Sequence, residues 1–211
     1  MKTARPKVLL LDLGNVTVRL RFSDFFERVA AVCRPLRDPI ELQRMFRDPA
    51  YGHGDYELGR MDGPAWHTLL QTKVGLTLDY GAWLRLWNDN FEPNVAMERL
   101  IEALRGQVRI WALSNTNAEH LSHLKSAYPI LGAFEGITAS CEAGAQKPAP
   151  AIYEAALRSL GVAGADVLYL DDVEDYVQCA RALGIQGFHY TFNDEALRQT
   201  LTARGFSLPK A

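Results

Sequence analysis

The sequence predicts an α/β fold, a doubly wound parallel sheet with a helical segment inserted after its first strand. Short apolar runs alternate with segments of helical periodicity from residue 108 to residue 204, which is typical of parallel strands joined by helices. One further apolar run, residues 8–11, lies near the start of the chain. The residues between this run and residue 108 show helical periodicity and no strand pattern. The long block between them is therefore predicted to be an insertion.

The first strand and the inserted block set the predicted domain organisation. Four consecutive apolar residues at 8–11 indicate a strand buried on both faces. We expect residues 1–18 and 94–211 to form the sheet domain and residues 19–93 to form a helical cap. In the cap, helical spacing covers residues 22–33, 39–46, 63–74 and 79–87. Residues 48–59 are rich in Gly, Pro and Asp, which predicts a loop.

After the cap, strands and helices are predicted in alternation. The further predicted strands are residues 108–113, 136–140, 167–170 and 187–191. The helices predicted around them are residues 94–105, 118–127, 148–160, 174–183 and 194–204. The tryptophans expected to pack the cap core are Trp66, Trp83 and Trp87.

Composition narrows the class of protein. The 211 residues are 48% hydrophobic and 23% charged, as in an ordinary globular protein, and a net charge of −2 gives no reason to propose a nucleic-acid or membrane partner. Residues 1–6 lack the apolar stretch of a signal peptide, and no run reaches the ~18 apolar residues of a membrane span. We therefore expect a cytoplasmic location. Nothing in the sequence indicates an oligomeric state.

Polar clusters follow several of the predicted strands. They are Asp12, Ser114-Asn115-Thr116 and Asp171-Asp172. Because the carboxyl ends of parallel strands meet at one edge of a sheet, these groups can converge although they are far apart in sequence. Lys147 precedes a predicted helix and can lie over the same edge.

This set of groups indicates a chemistry. Carboxylates from two strands, without a histidine or cysteine partner, suit a hard cation such as Mg²⁺. The metal and Lys147 would neutralise a phosphate dianion, and Ser114 with neighbouring backbone N–H groups would bind its other oxygens. Asp12 is then a candidate nucleophile that forms an acyl-phosphate.

In order and spacing, these motifs resemble the haloacid-dehalogenase-like hydrolase superfamily. The matching motifs are residues 12–16 (DLGNV), 113–115 (LSN), 147–148 (KP) and 170–172 (LDD). The resemblance extends over nearly the whole chain and implies a Rossmann-like core with an inserted cap. It also implies a Mg²⁺-dependent phosphatase for a small phosphorylated metabolite, with a sugar phosphate as the first candidate.

The resemblance assigns roles to individual residues. It implies that Asp12 is both the nucleophile and a metal ligand, with the Gly14 backbone carbonyl and Asp172 as further ligands of the metal. Ser114 and Asn115 would bind the phosphoryl group.

Three more residues complete the predicted site. By the same resemblance, Lys147 would pair with the phosphate and with Asp12. We expect Asp171 to orient Lys147 or a metal-bound water. Asp175 is a candidate for holding a metal-bound water, although an aspartate in the first turn of a helix is also explained by the helix dipole.

The sequence departs from the family pattern at Gly14, where phosphatases of the superfamily usually carry a second, acid–base aspartate. Three explanations stay open: a phosphatase that obtains its proton elsewhere, a catalytically weak protein that binds phosphorylated ligands or a partner, and a metal-independent 2-haloacid dehalogenase. Sugar-phosphate phosphatases of the superfamily share the glycine, which favours the first. His53, in the predicted loop, is a candidate proton donor, whereas His120 and His123 are predicted to be solvated on a surface helix.

Overall fold

A computed structural model describes residues 5–35 and 37–209 of the chain. Its strands are β1 (Val8–Leu11), β2 (Val18–Leu20), β3 (Phe91–Pro93), β4 (Arg109–Ser114), β5 (Gly136–Ala139), β6 (Val167–Asp171) and β7 (Gln186–His189). Its helices are α1 (Phe25–Ala31), α2 (Pro39–Arg47), α3 (His53–Glu57), α4 (Gly63–Val74), α5 (Tyr80–Asn88), α6 (Val95–Leu104), α7 (Ala118–Ala127), α8 (Ser140–Ala143), α9 (Pro150–Leu160), α10 (Glu174–Ala182) and α11 (Asp194–Ala203). None of the helices in these residues is long and apolar enough to cross a membrane.

The main sheet is parallel and has the strand order β5-β4-β1-β6-β7. β1 lies at its centre, where Leu11 pairs with Ala112 of β4 on one side and with Leu170 of β6 on the other. Every residue of β1 is buried. The predicted α/β fold with a doubly wound parallel sheet is therefore confirmed, and the ends of β1, β4 and β6 lie side by side.

Successive residues of β1 face opposite sides of the sheet, as the pleat requires. Leu9 and Leu11 belong to a hydrophobic core with α6 and α11, whereas Val8 and Leu10 belong to a second core with α9 and α10. Both faces of the sheet are thus covered by helices, which fixes β1 and the residue that follows it.

Helices α1 to α5 bury a third hydrophobic core. Its largest side chains include Trp66, Trp83 and Trp87, each at most 4% exposed, with ring centroids of neighbouring indoles 5.0–5.7 Å apart. The tryptophans therefore pack against one another as predicted. This core draws only on residues 25–87, so the inserted block buries apolar surface of its own.

The prediction that the inserted block contains only helices is wrong at its two ends. β2 and β3 pair there as a short antiparallel ladder, with Arg19 opposite Glu92. A strand of three residues is too short to show alternation in a sequence, and its pairing depends on a partner about 70 residues away. The ladder joins the two points at which the chain leaves and re-enters the sheet domain.

The predicted loop at residues 48–59 also contains regular structure. The Asp48 side chain accepts a hydrogen bond from the backbone N–H of Ala50 and starts a 3₁₀ turn at Pro49–Tyr51. Gly52 then adopts a left-handed conformation (φ +70°) and leads into α3. Glycine and aspartate serve here to begin and end short helices, so His53 lies at the start of a helix.

Candidate active site

Asp12 directly follows β1, at the carboxyl edge of the sheet. Its backbone N–H donates to the Leu170 carbonyl at 3.0 Å, which continues the pairing with β6. Its Oδ1 atom accepts from the Leu13 N–H at 2.8 Å, and the Thr17 hydroxyl donates to its carbonyl at 2.7 Å. The residue is 8% exposed, and these contacts fix it in position through its own turn.

Lys147 is buried between two carboxylates. Its Nζ atom lies 2.8 Å from Asp12 Oδ1 and 2.7 Å from Asp171 Oδ2, and the residue is 2% exposed. Asn115 holds the backbone of Lys147 from both sides: its Oδ1 accepts from the Lys147 N–H at 2.7 Å, and its Nδ2 donates to the Lys147 carbonyl at 3.0 Å. The Asn115 side chain thus positions the lysine, while its role as a phosphate ligand stays a prediction.

Asp171 ends β6 and is fully buried. It accepts hydrogen bonds from the Tyr169 hydroxyl and from the Val173 N–H, the latter at 2.8 Å, in addition to the contact with Lys147. Asp171 therefore lies against Lys147, while the prediction that it orients this lysine or a metal-bound water stays a prediction. Its neighbour Asp172 is half-buried and accepts from Asn15 Nδ2 at 3.0 Å.

Asp12, Asp171 and Asp172 form a carboxylate cluster. Each offers an oxygen within 4.8 Å of the oxygens of the other two. Asp175, in the first turn of α10, is exposed and lies outside this cluster. The structure thus brings together three of the four predicted aspartates.

The electrostatics of the cluster follow from burial. Burial raises the pKa of Asp12 to about 7, an effect that Lys147 opposes and that Asp171 and Asp172 strengthen. Burial would lower the pKa of Lys147, but the adjacent Asp12 and Asp171 carboxylates outweigh it and raise this pKa. Burial also raises the pKa of Asp172.

The donor set fits Mg²⁺. Three carboxylates face one ammonium group, so a divalent cation would offset the remaining negative charge. All ligands offered by the cluster are oxygens, which Mg²⁺ prefers, and Asp12 and Asp172 would hold it together with the Gly14 carbonyl predicted from the sequence.

A cavity of about 290 Å³ adjoins the sheet edge and is lined in part by Gly14, Ser114 and Asn115. Ser114 is the last residue of β4 and is 3% exposed. A Cβ built on Gly14 would lie 3.0 Å from Leu20 Cδ1, so an aspartate at this position would require Leu20 to shift. Ser114 and Asn115, the predicted phosphate ligands, therefore face the same cavity as Gly14, which stands where the family usually has an aspartate.

Two titratable residues of α3 also line this cavity. His53 Nε2 lies 3.9 Å from Glu57 Oε1, and both side chains are about three-quarters buried. His53 was singled out by the sequence, whereas Glu57 was missed because only the i, i+4 spacing of α3 places it beside His53. Both residues reach the cavity from the inserted block.

The prediction that His120 is solvated is wrong. Its Nδ1 lies 3.1 Å from Asn117 Nδ2 and its Nε2 lies 3.1 Å from the Trp87 carbonyl, and its ring stacks on the Trp87 indole at 4.4 Å. Burial lowers the pKa of His120 to about 3. Helix α7 packs against α5, so this face of α7 is an interface, and His123 is half-buried beside Phe91.

The fold and the site define a class of protein. The family model of haloacid dehalogenase-like hydrolases matches residues 7–184, and the chain belongs to this family. The resemblance seen in the motifs is therefore confirmed, and the chain is a hydrolase of that family.

Individual relatives add detail. Sesquiterpene phosphatase astK of Aspergillus oryzae is 28% identical over 138 residues, which are 64% of this chain and 70% of that protein. A HAD family enzyme of Bacteroides thetaiotaomicron, solved in complex with magnesium and inorganic phosphate, is 23% identical and has a TM-score of 0.77 over 87% of this chain and 93% of that chain. A HAD-like family hydrolase of Porphyromonas gingivalis is 23% identical with a TM-score of 0.78, over 93% and 98% respectively. At these identities the solved structures show the shared fold.

Proposed function

We propose that the protein is a Mg²⁺-dependent phosphatase that hydrolyses a small phosphomonoester through a phospho-Asp12 intermediate. The observation that carries this proposal is the buried Asp12–Lys147–Asp171 arrangement, with Asp172 beside it, at the carboxyl edge of the sheet. Asp12 is suited to attack a phosphate dianion, because its carboxylate is fixed next to a cation and beside carboxylates that could bind a metal through oxygen.

The comparisons support phosphoryl chemistry. One relative is named as a phosphatase, and a protein of the same fold was solved with magnesium and inorganic phosphate. A metal-independent dehalogenase needs no cation site, so a carboxylate cluster that could hold a metal favours the phosphatase over this alternative.

In the first step, an Asp12 carboxylate oxygen attacks phosphorus and the ester P–O bond breaks. The alcohol leaves with a proton, and the phosphoryl group is bound to Asp12. Lys147 neutralises charge on the phosphoryl oxygens, and Ser114 donates to them from the end of β4. A bound Mg²⁺, held by Asp12, Asp172 and the Gly14 carbonyl, would supply further charge stabilisation.

In the second step, water attacks phosphorus and the bond between phosphorus and the Asp12 oxygen breaks. Inorganic phosphate leaves, and the carboxylate is restored. Because the protein has glycine at position 14, protons must be moved by another group, and we assign this role to His53, which lines the adjoining cavity.

The test is phosphate release from p-nitrophenyl phosphate by wild type and by Asp12→Asn, each with Mg²⁺ and with EDTA. We expect wild type with Mg²⁺ to turn over and the other three conditions to lose activity by at least about 10³-fold, since the nucleophile or the charge stabilisation is absent.

The matched control is Asp166→Asn, at the opposite end of β6. Asp166 forms an exposed ion pair with Lys7 at 3.0 Å, so its loss should leave turnover unchanged. Equal activity of Asp12→Asn and wild type would overturn the proposal. Chloride release from 2-chloropropionate in EDTA would establish the dehalogenase instead.

A further inference from the structure

The cavity beside the sheet edge is in a position to hold the alcohol part of the phosphate ester. Gly14, Ser114 and Asn115 line it at the sheet edge, and most of the remainder comes from α1, α2, α3, α5 and α7 and from the β2–β3 ladder. A phosphoryl group at Asp12 would therefore place the esterified alcohol in this cavity. The inference below rests on the proposed function and concerns the chemical class of that alcohol.

The cavity wall is strongly apolar. Nine of its eighteen lining residues are Leu, Phe or Trp. The aromatic members are Phe22, Phe25, Phe26, Phe46, Trp87 and Phe91. These aromatic side chains remove apolar ligand surface from water, but they offer no hydrogen-bond partner to the hydroxyl groups of a sugar.

Away from the sheet edge, the polar side chains in the wall are Gln43, Arg47, His53, Glu57 and His120. His120 has both ring nitrogens bonded within the protein: because a carbonyl only accepts, Nε2 donates to Trp87 and Nδ1 accepts from Asn117. Gln43 and Arg47 are exposed at the rim. The remaining polar groups of the inner wall are His53 and Glu57, which lie 3.9 Å apart on α3, so a buried sugar would leave most of its hydroxyls without partners, which disfavours it.

The size of the cavity limits the alcohol. A cavity of roughly 150 Å³ holds one benzene molecule, so 290 Å³ accommodates on the order of ten to twelve carbon atoms. A two-carbon alcohol would leave most of the apolar wall without contact.

We propose that the substrate is the phosphate monoester of an apolar aliphatic alcohol of about ten carbons, and that sugar phosphates are disfavoured. The phosphate binds at the sheet edge and the hydrocarbon chain fills the aromatic cavity. Hydrolysis transfers the phosphoryl group to water, so the C–O bond of the alcohol stays intact and the products are the alcohol and inorganic phosphate.

The experiment measures kcat/KM for a series of n-alkyl phosphates from ethyl to tetradecyl, with D-glucose 1-phosphate and p-nitrophenyl phosphate alongside. Burial of one methylene is worth about fourfold in binding, so kcat/KM should rise about two- to fourfold per added methylene and level off near ten carbons. Decyl phosphate should exceed glucose 1-phosphate by at least about 10²-fold.

A variant of the wall gives a second measurement. Phe22 lines the cavity and is 47% exposed, so Phe22→Ser should fold and should flatten the rise with chain length. Phe192→Ser is the matched control, because Phe192 is 50% exposed and lies outside the cavity lining, and it should keep the wild-type slope.

The outcomes separate this inference from the function on which it rests. If p-nitrophenyl phosphate and glucose 1-phosphate are hydrolysed in an Asp12-dependent reaction but the alkyl series is flat, the apolar substrate is wrong and the phosphatase stands. If no ester is hydrolysed, the proposed function fails and the substrate inference fails with it. A slope that is equal in Phe22→Ser and wild type would also overturn the role of the aromatic wall.

Discussion

The buried ammonium of Lys147 determines how the aspartates can coexist at the sheet edge. It lies within 2.8 Å of both Asp12 and Asp171, and a buried ion pair is stable only when its remaining polar atoms are also bonded. Asp171 meets this condition, because Val173 donates to its Oδ1 and Lys147 and Tyr169 contact its Oδ2, while Asp12 Oδ1 accepts from the Leu13 N–H as well as contacting Lys147. The charges are therefore held in position before a substrate binds, which is the arrangement that electrostatic catalysis requires.

A prediction at the residue scale concerns His53 as proton donor to the leaving alcohol. His53→Gln should lower kcat for decyl phosphate by about 10²-fold or more, since an alkoxide leaves poorly without a proton. The effect on p-nitrophenyl phosphate should be much smaller, because p-nitrophenolate leaves without protonation. The measurement is the ratio of the two kcat values in wild type and variant.

The control for this prediction is His123→Gln, because His123 lies outside the cavity lining. It should leave the ratio unchanged. Equal slowing of both esters in His53→Gln would show a structural role for His53 rather than proton transfer.

At the scale of elements, the inserted block is tied to the sheet domain through α7. Asn117 caps this helix by accepting from the His120 N–H at 2.9 Å, and it also accepts from the Tyr56 hydroxyl at 3.0 Å. His120 then bonds to the Trp87 carbonyl of α5. One turn of α7 thus contacts α3 and α5 together, which fixes the cavity between them.

The buried imidazole of His120 predicts a pH dependence of stability. Burial, with smaller contributions from His53 and His123, lowers its pKa to about 3, against about 6.5 in the unfolded chain. The unfolded chain therefore takes up a proton first as the pH falls, and the free energy of unfolding should fall by roughly 2 kcal/mol between pH 7 and pH 4.5 from this residue.

The measurement is urea unfolding of wild type and His120→Gln across this pH range. The difference in free energy of unfolding between wild type and His120→Gln should shrink by that amount at the lower pH, because glutamine does not titrate. His123→Gln, on the same helix, should retain most of the wild-type dependence, because His123 makes only a small contribution to the His120 pKa. A difference that does not change with pH would contradict the neutral, buried His120.

At the scale of the whole molecule, the sheet domain was largely predictable and the cavity was not. Alternating apolar runs indicate the parallel sheet, and the geometry of such a sheet brings Asp12, Asp171 and Asp172 to one edge whatever the helices do. The β2–β3 ladder, helix α3 and the burial of His120 depend on contacts between distant segments, which periodicity does not encode. The aromatic wall likewise combines side chains from segments whose mutual packing is set only in the folded chain.

The last prediction links the metal site to global stability. Asp12 and Asp172 follow the adjacent strands β1 and β6 and would hold Mg²⁺ between them, and a ligand that binds only the folded state stabilises it by mass action. At about 100 times its dissociation constant, Mg²⁺ should raise Tm by ~5–10 °C for a chain of this size.

Asp172→Asn should lose most of this shift, whereas Asp175→Asn should keep it, because Asp175 is exposed outside the cluster. Thermal unfolding followed by tryptophan fluorescence, with Mg²⁺ or EDTA, measures the three proteins side by side, and an equal shift in Asp172→Asn and wild type would remove Asp172 from the ligand set.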